Sequence, residues 1–273
     1  MIKITSLCDN VNNHKKMWAA EGNSILIEVD ETKILYDVGR YPEILQHNLA
    51  CLNLSLEDID YVILSHGHKG HCGAAHALRY PSRTTVLFGS GLFVPKFKWK
   101  PEKAKPVQNE LLESALPKDA VCVQNVHEMD GGRVLVYKTP DLFSKEEKEA
   151  EKHFLLKIHD RFRPDFFEEE LNVCIRTRKG LIILTGCAHR KLDNIVHTAM
   201  ELTGERRIYA LIGGTHIVDD RNRLQAFFAL VRALNIQYVA PSHCTGFKSI
   251  AAIAKRYKKR YLEFNTGKTL QFE

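Results

Sequence analysis

The chain has 273 residues, 44% of them apolar and 26% charged, and a formal net charge of +6. That apolar share is too large for a disordered chain, and no apolar run reaches the length of a membrane span. Seven scattered Cys, an odd count with no CxxC pair, speak against a disulfide framework or a zinc ribbon, and the N-terminus reads as a strand rather than a signal peptide, so a cytoplasmic protein is expected.

Short β-rich runs alternate with helical patterns. Residues 2–7, 24–29 and 33–37 read as strands, the last two joined by a turn at Asp30-Glu31-Thr32. Pro42 opens a helical pattern through Ile44, Leu45, Leu49 and Leu52, and Ser55-Leu56-Glu57-Asp58 reads as a capped turn. A buried strand at 61–64 ends in a His-rich loop, followed by a helix over about 73–80 and a strand at 84–88. Residues 89–118 carry five Lys between Lys96 and Lys105, and also Pro95, Pro101, Pro106 and Pro117. They read as a basic excursion from a single domain spanning 1–273. Strands are expected at 121–123 and 134–137, and a solvated helix face at the charge run 144–152. A second hairpin, 173–177 and 181–185, surrounds Arg178-Lys179-Gly180. The pattern then gives helix 191–202, strand 208–212, helix 222–234, strand 238–240, helix 247–258, and closing strands at 262–264 and 269–272.

Thirteen His are the unusual count. Three of them fall within six residues, in Ser65-His66-Gly67-His68-Lys69-Gly70-His71, on a loop at a strand's carboxyl end. Strand-end loops are where α/β enzymes place chemistry, and neutral imidazoles two residues apart in an extended loop can converge on one ion.

Asp37-Val38-Gly39 followed by Leu64-Ser65-His66-Gly67-His68-Lys69-Gly70-His71-Cys72-Gly73 resembles the metallo-β-lactamase superfamily, with its HxHxDH signature and earlier DxG turn. Three later stretches are similar to its 7,8-dihydropterin-6-methyl-4-(β-D-ribofuranosyl)aminobenzene-5′-phosphate synthase-like branch: residues 180–189 ending in Gly186-Cys187-Ala188-His189, Ile212-Gly213-Gly214-Thr215-His216, and Pro241-Ser242-His243-Cys244-Thr245-Gly246. The resemblance runs from about residue 20 to the end and is weak across 89–135. It implies an α/β fold, a four-layer αββα sandwich with a metal site at one edge of the two sheets. It further implies His66 and His68 on a first metal, His71 and His243 on a second, and Asp37 as the buried carboxylate that orients the His loop. The expected cofactor is zinc, one or two ions, with manganese or iron as alternatives.

Gly70 stands where the family has an Asp that binds the second metal and orients the attacking water. Glycine has no ligand atom, so the first site is expected to outcompete the second. An empty second site, a weak one held by His71, His243 and water, and a protein that has lost hydrolysis but still binds all follow from that departure. Cys187 sits where many relatives carry a bridging Asp; it reads either as a thiolate ligand suited to zinc or as a small buried Cys. His189, ahead of a helix N-terminus, and His216, after Gly213-Gly214, are expected to line the pocket as ligands or substrate contacts. For the third ligand of the first metal the candidates are His153, His159, Glu168, Glu169 and Glu170. His14, His47, His76, His127 and His197 read as structural or exposed.

Lys96, Lys98, Lys100, Lys103 and Lys105 interleave with Phe97 and Trp99, a texture that suits nucleic acid or phosphate. A net charge of +6 over this length is only moderately basic, so a solvated surface is preferred and nucleic acid is not the expected partner. Phe93, Phe97 and Trp99 suit a lid, a dimer contact or a wall for a pterin-like ring, and a homo-oligomer is compatible with them. The combined reading is a metal-dependent hydrolase or hydrolase-like enzyme for a small anionic substrate, a phosphoester or pterin phosphate, with a metal-acidified water as nucleophile. In it His71 and His243 hold the second ion, polarise the substrate or shuttle a proton. The alternatives are a degenerate binding protein on the same scaffold, favoured by Gly70, and a nuclease.

Overall fold

The computed structural model describes residues 1–108, 113–140 and 153–273; the charge run at 144–152 lies outside them. β1 (Ile2–Cys8), β2 (Ser24–Val29) and β3 (Thr32–Tyr36) form an antiparallel meander. After α1 (Pro42–Ala50) come β4 (Tyr61–Leu64), the four-residue helix α2 (Lys69–Cys72) and β5 (Thr85–Gly89). Then follow β6 (Lys96–Lys100), β7 (Lys103–Pro106), β8 (Val121–Val123), β9 (Val126–Met129), β10 (Val134–Lys138), β11 (Phe154–Ile158) and β12 (Arg161–Pro164). The last third runs β13 (Leu171–Thr177), β14 (Gly180–Thr185), α3 (Leu192–Thr203), β15 (Ile208–Gly214), α4 (Arg221–Ala233), β16 (Tyr238–Ser242), α5 (Phe247–Tyr257) and β17 (Thr269–Phe272).

Two large mixed sheets result, in the orders β17-β1-β2-β3-β4-β5-β8 and β16-β15-β14-β13-β10-β9. Their central strands are apolar on both faces because both faces are covered, whereas the edge strands β9 and β17 alternate buried with exposed residues. Ile25, Ile27, Ile34 and Tyr36 of the first sheet meet Val173, Ile175, Ile182 and Leu184 of the second in the central core. The intervening residues point outward. Leu26, Leu35 and Val62 pack with Leu45 and Leu49 of α1, while Cys174, Ile183 and Leu211 pack with Ile195 and Val196 of α3 and Val231 of α4. The architecture is the four-layer αββα sandwich. No helix among the described residues is long and apolar enough to cross a membrane.

The expected helix at 73–80 is replaced by α2 and a 3-10 turn over Gly73–Ala77. Tertiary bonds compete there: Gly70 O accepts from Asn23 N and His71 O from Val38 N, both at 2.9 Å, and Ala74 N donates to Gly39 O at 3.1 Å. Residues 262–264 are not a strand either; Leu262 N makes one bond, to Val239 O at 2.9 Å. β6, β7, β9, β11 and β12 are strands that the sequence pattern does not announce.

The basic excursion forms a small third sheet, β12-β11-β6-β7, in which Phe97 pairs with Leu155 and packs edge-on to Phe162. One of its lysines contradicts the reading of a solvated surface. Lys96 is 1% exposed and ion-paired to Asp165 at 2.9 Å and to Glu169 at 2.7 Å. A buried ammonium needs such partners, and these arrive from a segment some seventy residues on.

Candidate metal centre

The parallel strands β4, β14, β15 and β16 end in the loops that carry nearly every candidate ligand: His66, His68 and His71, then Cys187 and His189, then His216, then His243 and Cys244. The two sheets are tied together here, since Leu171 N donates to Ser65 O at 2.8 Å and Tyr36 OH to Leu171 O at 2.8 Å.

His66, His68 and His189 form one group, each offering a ring nitrogen within 4.8 Å of the others. His189 thus stands where a third partner for His66 and His68 was sought in residues 153–170. His159 is on the exposed β11–β12 turn and Glu168 is exposed. His153 packs on Phe154, with centroids 4.3 Å apart, and Glu169 is held by Lys96. Glu170 instead positions His189. Its carboxylate accepts the His189 and Arg190 amides at 2.8 and 2.9 Å, and Phe167 stacks flat on the His189 ring at 3.7 Å.

His66 Nε2, His68 Nε2 and both ring nitrogens of His189 are buried without a hydrogen-bond partner among the described residues. Burial, reinforced by the neighbouring rings and by Lys96 beside His66 and His68, holds all three imidazoles well below their ordinary pKa. They are therefore neutral, the form that binds metal. Three convergent, neutral, unpartnered imidazoles fit a divalent ion of the zinc class with an open fourth position.

A second group is organised by Asp37, fully buried and with φ of 61°. Ser65 N donates to its Oδ1 at 2.8 Å; Ser65 Oγ (2.9 Å), Asn23 Nδ2 (3.1 Å) and His71 Nδ1 (2.6 Å) converge on Oδ2. Because Ser65 Oγ donates to Asp37, it accepts from His66 Nδ1 at 2.9 Å. Both rings thereby carry their proton on Nδ1 and turn Nε2 toward the site. His71 Nε2 faces His243 Nε2 at 3.1 Å, and His243 is anchored by its own amide donating to Asp9 Oδ1 at 2.7 Å. Burial brings His243 down to about 4 and Asp9 up to about 6. Gly186 makes room for this network: a Cβ there would lie 2.4 Å from Ser65 Oγ.

At Gly70 a Cβ would meet only Gly22 Cα at 3.5 Å and His243 Cε1 at 4.0 Å. The position accepts a side chain and directs it toward His243. Gly70→Asp is therefore expected to fold normally and to raise ion content beside His71 and His243, read by metal analysis after equilibrium dialysis. Unchanged content would disprove the steric and chemical account of the glycine.

The thiols form a third group. Cys187 Sγ is 3.6 Å from His216 Nδ1 and 2.9 Å from Cys244 Sγ, and His216 N donates to Cys244 Sγ at 3.2 Å. Burial pushes the Cys187 thiol well up. Burial opposes ionisation of Cys244 too, but hydrogen bonds from Cys187 and His216 bring it well down. Cys187 Sγ also lies within 4.8 Å of a ring nitrogen of His66 and of His71. Cys244 is not among the candidate ligands that the sequence offers, and its place directly after His243 is the feature that marks it. A cavity of about 580 Å³ opens beside His189 and His216, floored by Phe227 and Leu230 of α4 and lined also by Lys191 and Arg223.

Glu170 sets a pH dependence. Burial raises its pKa from 4.5 to about 7, partly offset by its two backbone donors. Between those values the unfolded chain has lost the proton and the folded one keeps it. Glu170's contribution to the stability of the metal-free protein is therefore expected to fall as pH rises from about 4.5 to about 7, against the opposite contribution of His66, His68, His189 and His243, which burial holds below 6.5. Urea midpoints of the parent and of Glu170→Gln check this: the parent's should fall relative to the variant's across that range.

Residues 18–190 match the family model of the Metallo-beta-lactamase superfamily, and the chain belongs to that superfamily. It is 28% identical, over 99% of its length and 97% of the relative's, to 7,8-dihydropterin-6-methyl-4-(beta-D-ribofuranosyl)-aminobenzene-5'-phosphate synthase of Methanocaldococcus jannaschii. Tm1679, a metal-dependent hydrolase of the beta-lactamase superfamily, superposes over 100% of both chains with a TM-score of 0.82 at 23% identity. A diphosphatase from the PhnP family covers 100% of this chain and 98% of its own, with a TM-score of 0.54 at 10% identity. At these identities the solved structures speak for the fold alone.

Proposed function

We propose that the protein is a metal-dependent hydrolase or hydrolase-like enzyme acting on a small anionic substrate, a phosphoester or pterin phosphate. The observation that carries this is the set of buried, unpartnered imidazole nitrogens of His66, His68 and His189 converging at the edge of the sandwich. These residues would hold the ion, zinc by preference, with manganese or iron as substitutes. When bound, such an ion supplies Lewis acidity and an acidified water.

The chain's own residues supply the rest. Asp37 and Ser65 fix the tautomers of His71 and His66. His71 and His243, with Nε2 atoms 3.1 Å apart, form a pair that holds or passes one proton. The neighbouring cavity matches a small molecule in size, with Lys191 and Arg223 contributing positive charge toward an anionic group and Phe227 and Leu230 an apolar wall. The pterin-phosphate expectation rests on the relative from Methanocaldococcus jannaschii, whose name contains both parts.

The test is turnover of phosphomonoesters, phosphodiesters and a pterin phosphate by zinc- or manganese-loaded protein. Activity abolished by His68→Ala supports the reading. No turnover at full ion occupancy would instead establish a binding protein on this scaffold.

A further inference from the structure

We propose that Cys187, Cys244 and His216 form a separate, thiolate-rich ion site for a zinc-class ion. It shares no residue with the His66–His68–His189 group, nor with the His71–His243 pair that the sequence marks for a second ion. The three ligand atoms lie within 4.8 Å of one another, at the ends of three consecutive parallel strands, β14, β15 and β16. Strand ends fix ligands more firmly than long loops do.

The geometry is close to what such an ion needs. Zinc–sulfur and zinc–nitrogen bonds of about 2.3 and 2.05 Å at a tetrahedral angle separate S from N by about 3.6 Å and S from S by about 3.8 Å. The Cys187 Sγ to His216 Nδ1 distance is 3.6 Å. The two sulfurs, 2.9 Å apart, would open by roughly 0.9 Å, within reach of χ1 adjustments at both cysteines. Two further features serve these groups. At Gly214 a Cβ would lie 2.9 Å from Cys244 Sγ and 3.1 Å from Cys187 Cα, so the missing side chain is what lets the two cysteines meet. His216 adopts φ of 49°, the left-handed region, which turns its amide onto Cys244 Sγ as its ring reaches Cys187.

Charge separates the roles of the sites. Binding at the thiols leaves two thiolates against a dication, a neutral and therefore cheaply buried unit. The imidazole group leaves the dication uncompensated, which suits an anionic substrate. A neutral, sulfur-held ion is instead retained tightly and braces the three strand ends that carry His189, His216 and His243.

The experiment uses the full chain, stripped of metal, reduced with a phosphine and titrated with cobalt(II). The expected result is a sulfur-to-cobalt charge-transfer band that saturates at one equivalent. Cys244→Ser should lose that band and one equivalent, and His68→Ala should keep the band. Independently of any variant, zinc should protect two of the seven thiols from alkylation, identified by mass spectrometry as Cys187 and Cys244. Absence of the band in the reduced parent overturns the proposal. So does a band that survives Cys244→Ser but not Cys187→Ser, which would put the ion with His66 and His71, and so does a Cys187–Cys244 disulfide that persists under the phosphine. None of these results bears on the hydrolase reading, which stands or falls with His68→Ala.

Discussion

Replacing His189 with alanine is expected to empty the imidazole site and lower turnover by at least about a hundredfold, while His153→Ala and His159→Ala stay within about twofold of the parent. Loss of an outer residue that merely orients a ligand costs roughly ten- to a hundredfold in metal affinity, so loss of the ligand itself sets a higher floor. His189 is 3% exposed, and neither of its ring nitrogens has a hydrogen-bond partner among the described residues, which leaves them for an ion to satisfy. Metal analysis and circular dichroism on each variant provide the check. A folded His189→Ala protein that keeps its full ion content would return the third ligand to the 153–170 segment.

The strands were legible because their environment is uniform. The central strands are apolar on both faces and bounded by turn residues, so 24–29 and 61–64 coincide with the observed elements, and the edge strands 121–123 and 269–272 do so too. The His66–His71 loop was legible because its ligands are neighbours in sequence. His189 as their third partner was not, because the contact crosses from one sheet to the other and depends on β14 ending opposite β4. Cys244 was hidden by its neighbour. At His243 the backbone turns through φ of 49°, so adjacent residues serve different groups, His243 facing His71 and Cys244 facing Cys187. The helix at 73–80 failed for a related reason: the Ala74 amide and the carbonyls just ahead of it bond to loops that only the tertiary structure brings near.

Lys96 is the sharpest case, and it carries the second large prediction. Lys96→Met is expected to destabilise the protein by about 3–5 kcal/mol, because it leaves two buried carboxylates without their cation. Lys96 Nζ lies between Asp165 and Glu169 and 5.5 Å from the Phe167 ring centroid. Burial costs the ammonium, but the two carboxylates outweigh it and hold its pKa above the ordinary lysine value. Asp165 already sits at about 6, raised by burial and by Glu169, with Lys96 restraining the rise. Without Lys96 that restraint is gone, so the Asp165 carboxyl keeps in the folded state a proton that the unfolded chain has released, and stability should fall further as pH rises above about 3.8. The defect should also reach the imidazole site. Glu169 Oε1 accepts the Gly67 amide at 3.3 Å, between His66 and His68, and Phe167 stacks on His189. The glycine between the two histidines is itself explained, since a Cβ at Gly67 would lie 2.5 Å from Lys96 Cε. Ion affinity is accordingly expected to drop about tenfold alongside stability. Urea unfolding at pH 5 and pH 8 separates the causes when Lys96→Met is compared with the triple variant that adds Asp165→Asn and Glu169→Gln. Recovery in the triple variant, greatest at pH 8, assigns the loss to unpaired carboxylates; a triple variant as unstable as the single one at both pH values assigns it to the missing ammonium's hydrogen bonds and packing beneath the His loop.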